Sequence, residues 1–325
     1  MNPRFARVRP EMTVDEAISY LRRQTRDRAE VIYYAYALDP DQRLLGVVSF
    51  RDLFAAQPGQ RVSDVMNRNP VTVREDTDQE VVSRLFAQHD LIALPVVDAA
   101  GRMKGLVTVD DIVDVVQEEA TEDIQRLGGT EVLGAPYLEM PLASMIKKRA
   151  GWLAALFLGE MLTATAMARY EDEIAKAVVL ALFVPLIISS GGNSGSQATT
   201  LVIRAMALGE VRLRDWWRVA RREVFQGAGL GVILGAIGLA RILLWEVLFK
   251  TYGHHAVRVA LTVAVSLIGV VLWGCLAGSM LPFVLRKVGF DPASASAPFV
   301  ATLVDVSGLV IYFTVASVIL RGAVL

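Results

Sequence analysis

Five long apolar runs dominate the second half of this chain, at about 150–168, 177–208, 222–249, 257–285 and 296–321. A helix needs roughly 20 apolar residues to cross the hydrocarbon core of a bilayer, so each run reads as a membrane span. The second and fourth are long enough to hide breaks. From Met1 to about Arg149 the chain is instead charged and mixed, as in a soluble domain, and the 54% hydrophobic share of the whole averages over both regions. Regions so different in composition do not share one core. The expected architecture is a soluble part joined to an all-α bundle of five spans.

Charge orients the spans. Lys147, Lys148 and Arg149 precede the first, Arg212, Arg214, Arg218, Arg221 and Arg222 fill the loop after the second, and Arg286 and Lys287 follow the fourth. The other connections are poorer in basic residues: Arg169 and Lys176 flank an acidic run, and Lys250 and Arg258 flank a loop that holds His254 and His255. Basic loops stay on the cytoplasmic side, which places the N-terminus inside and the C-terminus outside. Trp152, Trp216, Trp217 and Trp245 lie near span ends, where interfacial aromatics collect. Residues 1–14 carry no apolar h-region of a secretory signal, so the soluble half is expected in the cytoplasm. The formal net charge of −1 averages the acidic segment Glu118–Asp123 with the basic loops, and the soluble half has no basic face for nucleic acid. The single cysteine, Cys275, forms neither an internal disulfide nor a cysteine zinc site and reads as a small core residue.

The soluble half contains a repeat. TVDEAISYL at 13–21 and GVVSFRDLF at 46–54 are echoed by TDQEVVSRLF at 77–86 and GLVTVDDIV at 105–113, with the strand signal ALPVVD at 93–98 before the turn Ala99–Arg102. A unit that cannot bury its own face packs against its copy. Gly46, Ser49 and Asp52, matched by Gly105, Thr108 and Asp111, together with VSDVMNRNPVTV at 62–73, resemble a tandem pair of cystathionine-β-synthase-type (CBS) domains. The resemblance implies a regulatory pair that takes adenine nucleotides such as ATP, or cations. The hydroxyls of Ser49 and Thr108 would meet phosphate, and Asp52 and Asp111 would meet ribose. The alternative is that both Asp residues simply cap helices.

The second copy runs into DDIVDVVQEEATEDIQRL at 110–127, which holds Asp110, Asp111, Asp114, Glu118, Glu119, Glu122 and Asp123. On one helix, Asp111, Asp114, Glu118 and Glu122 share a face at i, i+3, i+7 and i+11. Like charges so placed repel by a few tenths of a kcal/mol per pair. A divalent cation relieves that repulsion, and a solvated acidic face tolerates it.

Within the spans, polar groups are costly and mark function. The stretch PLIISSGGNSGSQATTLVIRA at 185–205 is too polar and glycine-rich for a lipid-facing helix, and its depth permits loosened backbone only against protein or water. Close packing accounts for Gly191, Gly192 and Gly195, but not for Asn193 and Gln197 together. Asp305 stands among apolar residues in FVATLVDVSGLVIYF at 299–313, with no Lys or Arg one turn away. An unpaired buried carboxylate calls for a cation or a proton. Asp291 precedes that span, and Glu160 lies inside the first, either lining a path or facing a partner protomer.

PLIISSGGNSGSQ, TLVIRA and DPASASAPFVATLVDVSGLVIYF resemble the signature segments of the MgtE family of magnesium channels, and the CBS pair, acidic helix and five spans match that family's layout. The resemblance implies a homodimer with one pore on its two-fold axis, lined by the second and fifth spans. Asp305 would be the pore aspartate, Ala301 would offer a backbone carbonyl to the hydrated ion, Asp291 would guard the cytoplasmic mouth, and Asn193 would belong to the second-span lining. Residues 1–125 would be the tandem CBS domain (about 1–62 and 63–125), 126–148 a connecting or plug helix, and 149–325 the transmembrane domain. Cytoplasmic Mg²⁺ bridging the acids of 110–123 would hold the pore closed. Hard oxygen donors suit Mg²⁺, which keeps several waters, whereas soft metals favour Cys, Met or His; the pair His254 and His255 reads as solvated in an external loop. Two departures stand out. Family members carry a helical domain before the CBS pair, where this chain begins, so weaker or right-shifted Mg²⁺ inhibition is expected. Glu160 stands where a neutral residue is expected. Rival readings are a channel for Co²⁺, Zn²⁺, Mn²⁺ or Na⁺, a carrier coupled to protons or Na⁺, and a nucleotide-sensing membrane protein. The lack of a nucleophile–base pair or phosphate loop speaks against an enzyme.

Overall fold

The repeat in the sequence is also a repeat in space. The computed structural model describes residues 2–27, 33–57, 59–171 and 178–320. Lys176 and the expected limits of the second span at 177 and the fifth at 321 lie outside them. The chain divides into two units, Met1–Thr121 and Glu122–Leu325. In the first unit, one copy runs β1 (Ala6–Val8), α1 (Val14–Asp27), β2 (Tyr34–Leu38), β3 (Leu44–Ser49) and α2 (Phe50–Ala55). After the short helix α3 (Val62–Val65), the second runs β4 (Val73–Arg74), α4 (Gln79–His89), β5 (Ala93–Val97), β6 (Met103–Thr108) and α5 (Val109–Leu127), whose last residues belong to the second unit.

Each copy builds a three-stranded sheet whose first strand pairs parallel and whose last pairs antiparallel with the middle one. Even the irregularity recurs, with register shifts at Ala37/Leu38 and at Val96/Val97. The start of α1 is the capping box written in TVDE: the Thr13 N–H donates to Glu16 Oε2 at 3.0 Å and the Glu16 N–H to Thr13 Oγ1 at 3.3 Å. Val14, Ala17 and Leu21 then bury one helical face against Val48 and Leu53. The hairpin turn of the second copy is tied by Asp98, whose Oδ1 accepts the N–H groups of Arg102 and Ala100, both at 2.9 Å. Those bonds, the Arg102 one foremost, hold the Asp98 carboxyl below the ordinary carboxylate range.

The copies share a core. Tyr36 and Leu38 of β2 meet Met103 and Leu106 of β6, and the Met103 N–H donates to Gln42 O at 2.9 Å. The Tyr36 hydroxyl is buried there with no hydrogen-bond partner among the described residues.

The second unit holds, among the described residues, five helices long and apolar enough to cross a membrane. They are α6 (Leu142–Arg169), α7 (Val184–Ala207, preceded by a 3₁₀ turn at Val178–Phe183), α8 (Trp216–Phe249), α9 (Ala256–Val288) and α10 (Ala297–Ile319). Two of them outrun the expected spans. α6 begins before Lys147–Arg149 and α8 before Arg218–Arg222, because a helix continues through charged residues where they leave the apolar layer. The second run changes from the 3₁₀ turn to an α-helix at Val184 and then stays helical through its glycines, and α9 continues through Pro282. The expected connecting helix over 126–148 is not one helix. It is the last turn of α5, a non-helical stretch at 128–141, and the first turns of α6. Gly128 and Gly129 end α5, with Gly129 at φ +70°, and Pro141 caps α6.

Replacing Tyr36 by Phe removes a buried, unsatisfied hydroxyl without changing the shape of the shared core. Thermal melting of the soluble unit should show Y36F more stable by about 1 kcal/mol; a clear loss of stability would mean that the hydroxyl has a partner in solution.

Candidate functional site

α7 has three faces, each with its own work. Gly191 and Gly195 lie against Gly274 and Gly278 of α9, so close that a Cβ on Gly274 would stand 2.5 Å from Gly191 O and one on Gly278 2.2 Å from Gly195 O. Thr199 Oγ1 locks the seam by donating to Gly278 O at 2.7 Å. The second face meets α10. Ser196 Oγ donates to Ala297 O at 3.0 Å, and a Cβ on Gly192 would come within 3.3 Å of Ala301 Cβ and 3.4 Å of Asp305 Oδ1. Small residues let these backbones approach, which inside a bilayer substitutes for the hydrophobic drive available in water.

The third face is uncovered. Ser189, Asn193, Gln197 and Thr200 lie exposed along it at i, i+4, i+8 and i+11, with Asn193 Nδ2 donating to Ser189 Oγ at 3.3 Å. Beside this stripe, Asp305 on α10 is partly buried and has no hydrogen-bond or ion-pair partner among the described residues. The structure therefore sets Ala301 and Asp305 against Gly192, the neighbour of Asn193 in the chain. The donors are carboxylate, amide, hydroxyl and carbonyl groups, a set suited to a hard, hydrated cation. Ser189, Thr200 and the glycines of α9 were not singled out by sequence reasoning; the four-residue spacing of small polar groups was the available signal.

α6 joins α10 at three levels. Trp152 packs on Phe299 with ring centroids 6.2 Å apart, a Cβ on Gly159 would meet Thr302 Cγ2 at 2.8 Å, and Tyr170 stacks on Phe313 at 4.9 Å. Glu160, next to Gly159, is thereby carried to within about a turn of the level of Asp305.

Asp291 sits at the turn before α10. Its Oδ1 accepts the Ala293 N–H at 2.9 Å, and its Oδ2 is paired with Arg126, which also pairs with Glu122. Leu127 packs with Ile203, Ala293 and Ala295, and Trp152 Nε1 donates to Ser296 Oγ at 3.2 Å. The end of α5 is thus pinned to the turn that starts α10. Arg126 was missed in the sequence, although its i+4 offset from Glu122 marked it as an ion-pair partner.

In the soluble unit the tentative nucleotide residues serve as caps. Ser49 Oγ accepts the Asp52 N–H at 3.0 Å and donates to Asp52 Oδ2 at 2.6 Å, while Asp111 Oδ2 accepts the Thr108 N–H at 3.3 Å. The Thr108 hydroxyl also holds the Asp110 carboxyl below its ordinary range. Along α5, Asp114 and Glu118 are exposed, Glu119 accepts from Gln79 Nε2, and Asp123 is partly buried. Among the described residues of one protomer, no three His, Cys, Asp or Glu side chains converge to hold a metal. Cys275 is buried, 3.2 Å from where a Cβ on Gly227 of α8 would stand, and His255 lies in the 3₁₀ turn Gly253–His255.

Residues 184–315 match the MgtE family model, described as a divalent cation transporter, and residues 1–59 and 62–118 match the CBS domain model. The magnesium transporter MgtE of Thermus thermophilus is 45% identical over 322 residues, covering 99% of this chain and 69% of that one. This chain belongs to the MgtE family. The Enterococcus faecalis magnesium transporter MgtE is 33% identical over 99% of this chain and 68% of its own. A solved cytosolic domain of the Mg²⁺ channel MgtE in complex with ATP is 53% identical over 35% of this chain and 45% of that one, with a TM-score of 0.34. Family membership and the five apolar helices make the protein a multi-pass membrane protein. The MgtE match contains Asn193, Asp291, Ala301 and Asp305, whereas Arg126 and Glu160 lie outside both matched models.

The α7–α9 seam admits no side chain at Gly278. Gly278→Ala should force the helices apart, at a cost of about 1–3 kcal/mol, and lower both the detergent melting temperature and ion flux of the purified protein; unchanged melting would show the seam to be looser than described.

Proposed function

We propose that this MgtE-family protein carries Mg²⁺ into the cell as a homodimer, along a path between the α7 and α10 helices of two copies. The observation that carries this reading is the polar stripe Ser189–Asn193–Gln197–Thr200, uncovered in a single chain, beside a partly buried Asp305 without a partner among the described residues, all in membrane-spanning helices. Polar faces at such depth require water or protein against them. A second copy related by a two-fold axis supplies both, and sets two Asp305 carboxylates around one ion. Ala301 O and Asn193 face that ion through its water shell, and Asp291 stands at the cytoplasmic mouth. The names of both relatives support magnesium as the cargo, as does the all-oxygen donor set. The basic loops support an inward N-terminus and an outward C-terminus.

Dimerisation has a further support in the soluble part of α5. Val109, Val113, Val116 and Ile124 form an uncovered apolar stripe, 61% exposed at Val113 and 69% at Ile124, the kind of face a second helix covers. Pairing two such helices brings two sets of Asp110, Asp111, Asp114, Glu118, Glu119, Glu122 and Asp123 near each other. Cytoplasmic Mg²⁺ that bridges these acids favours the closed assembly, and its loss lets them repel and open the path; the ion must bind the closed state better for this to work. ATP or another adenine nucleotide at the CBS pair would take Ser49, Asp52, Thr108 and Asp111 from their cap bonds.

Two measurements test this reading. Asp305→Asn should abolish Mg²⁺ influx into liposomes while leaving the dimer intact, and normal influx would remove the assigned path; Co²⁺, Zn²⁺, Mn²⁺ and Na⁺ as competitors, with imposed pH and Na⁺ gradients, identify the ion and any coupling. For regulation, Mg²⁺ should protect the 110–140 segment from protease in the millimolar range, and the pair Asp114→Asn and Glu118→Gln should shift that protection several-fold to higher Mg²⁺. No protection up to tens of millimolar would sink the gating scheme.

A further inference from the structure

Glu160 has no place in the path described above, and it is the residue hardest to reconcile with a lipid-facing helix. It stands mid-way along α6, exposed in the single chain, without a hydrogen-bond or ion-pair partner among the described residues. A carboxylate facing hydrocarbon is strongly disfavoured, so its surroundings must be water, a cation or protein. The packing of α6 decides among these. Its Gly159 admits Thr302 of α10 at close range, and that contact carries Glu160, the next residue along α6, to the level of Asp305, one turn beyond Thr302. On the same face, one turn on, Thr163 buries its hydroxyl oxygen with no hydrogen-bond partner among the described residues. Helical Thr hydroxyls ordinarily bond the carbonyl one turn back, as Thr165 does to Met161 O at 3.2 Å. Glu160 and Asp305 thus flank the Gly159–Thr302 contact, with the buried Thr163 hydroxyl one turn on along α6.

We propose that Glu160 is a specificity-determining residue of the ion path, a second carboxylate that acts with Asp305 on the hydrated divalent cation. The inference rests on the reading of Asp305 given above. In a two-fold dimer it raises the carboxylates around the path from two to four. Each added negative charge attracts a divalent ion twice as strongly as a monovalent one at the same distance, so Glu160 steepens the preference for divalent over monovalent cations and lowers the Mg²⁺ concentration at which the path fills.

The test uses the full-length protein in liposomes loaded with a Mg²⁺ indicator, comparing E160Q, E160D and D305N. E160Q should raise the half-saturating Mg²⁺ about tenfold and admit Na⁺ more readily, with E160D restoring most of both properties. Unchanged half-saturation and selectivity in E160Q, beside a D305N that has lost flux, would overturn the role of Glu160 and leave that of Asp305 standing. Normal flux in D305N would remove both. A second measurement does not depend on conduction: with Cys275→Ala as background, Glu160→Cys should react with a charged, membrane-impermeant thiol reagent, and Mg²⁺ should slow the reaction. A thiol that stays unlabelled places the residue in lipid or protein contact and overturns the proposal.

Discussion

The bundle depends on backbone touching backbone. Gly191 and Gly195 of α7 against Gly274 and Gly278 of α9 leave no room for even a methyl group. Inside a bilayer, lipid tails are as apolar as any leucine, so helices gain little by hiding apolar side chains from them. What holds them is dense van der Waals contact and the hydrogen bonds that close approach permits, here from Thr199 to Gly278 O and from Ser196 to Ala297 O. α8 uses the same device, with Gly227, Gly231 and Gly235 set against Leu272, Ile268 and Ala264. With two of its faces consumed in this way, α7 has only one left to offer, and that face is the polar one.

Much of this was legible in the sequence. The five spans could be read because apolar length is a one-dimensional property, and the CBS repeat because its strand and helix periods differ within each copy. Asp305 was legible because a lone carboxylate in an apolar run is conspicuous without any fold. Features that depend on a distant partner were not. The Arg126–Asp291 pair joins residues 165 positions apart, and nothing local marks them as neighbours. The glycines of the second span read as unsuited to a lipid-facing helix, and the structure sets Gly191, Gly192 and Gly195 against neighbouring helices instead. The connecting helix was drawn too long: Gly128, Gly129, Pro136 and Pro141 are local stop signals, and the family layout outweighed them.

The cytoplasmic end of the helical unit shows how charge and packing cooperate. Arg126 lies between Glu122 and Asp291, two acids whose mutual repulsion its guanidinium offsets, and Leu127 beside it packs on Ala293 and Ala295. Gly129 passes so close to Trp152 that a Cβ there would fall 2.6 Å from its Nε1, and the same indole bonds Ser296, the cap of α10. The last residues of α5 and the first turn of α10 are therefore held by one set of contacts.

The division of labour on α7 bears on how such a protein can change. Its two packed faces are closed to novelty, since almost any replacement for Gly191 or Gly195 drives the bundle apart. The third face carries no such burden: Ser189, Asn193, Gln197 and Thr200 are uncovered within the protomer, so their chemistry can be exchanged with little effect on how one chain folds. The same short segment is therefore rigid scaffold on one side and open ground for new ion preferences on the other, and an engineer seeking a transporter for a different metal would start from those four positions.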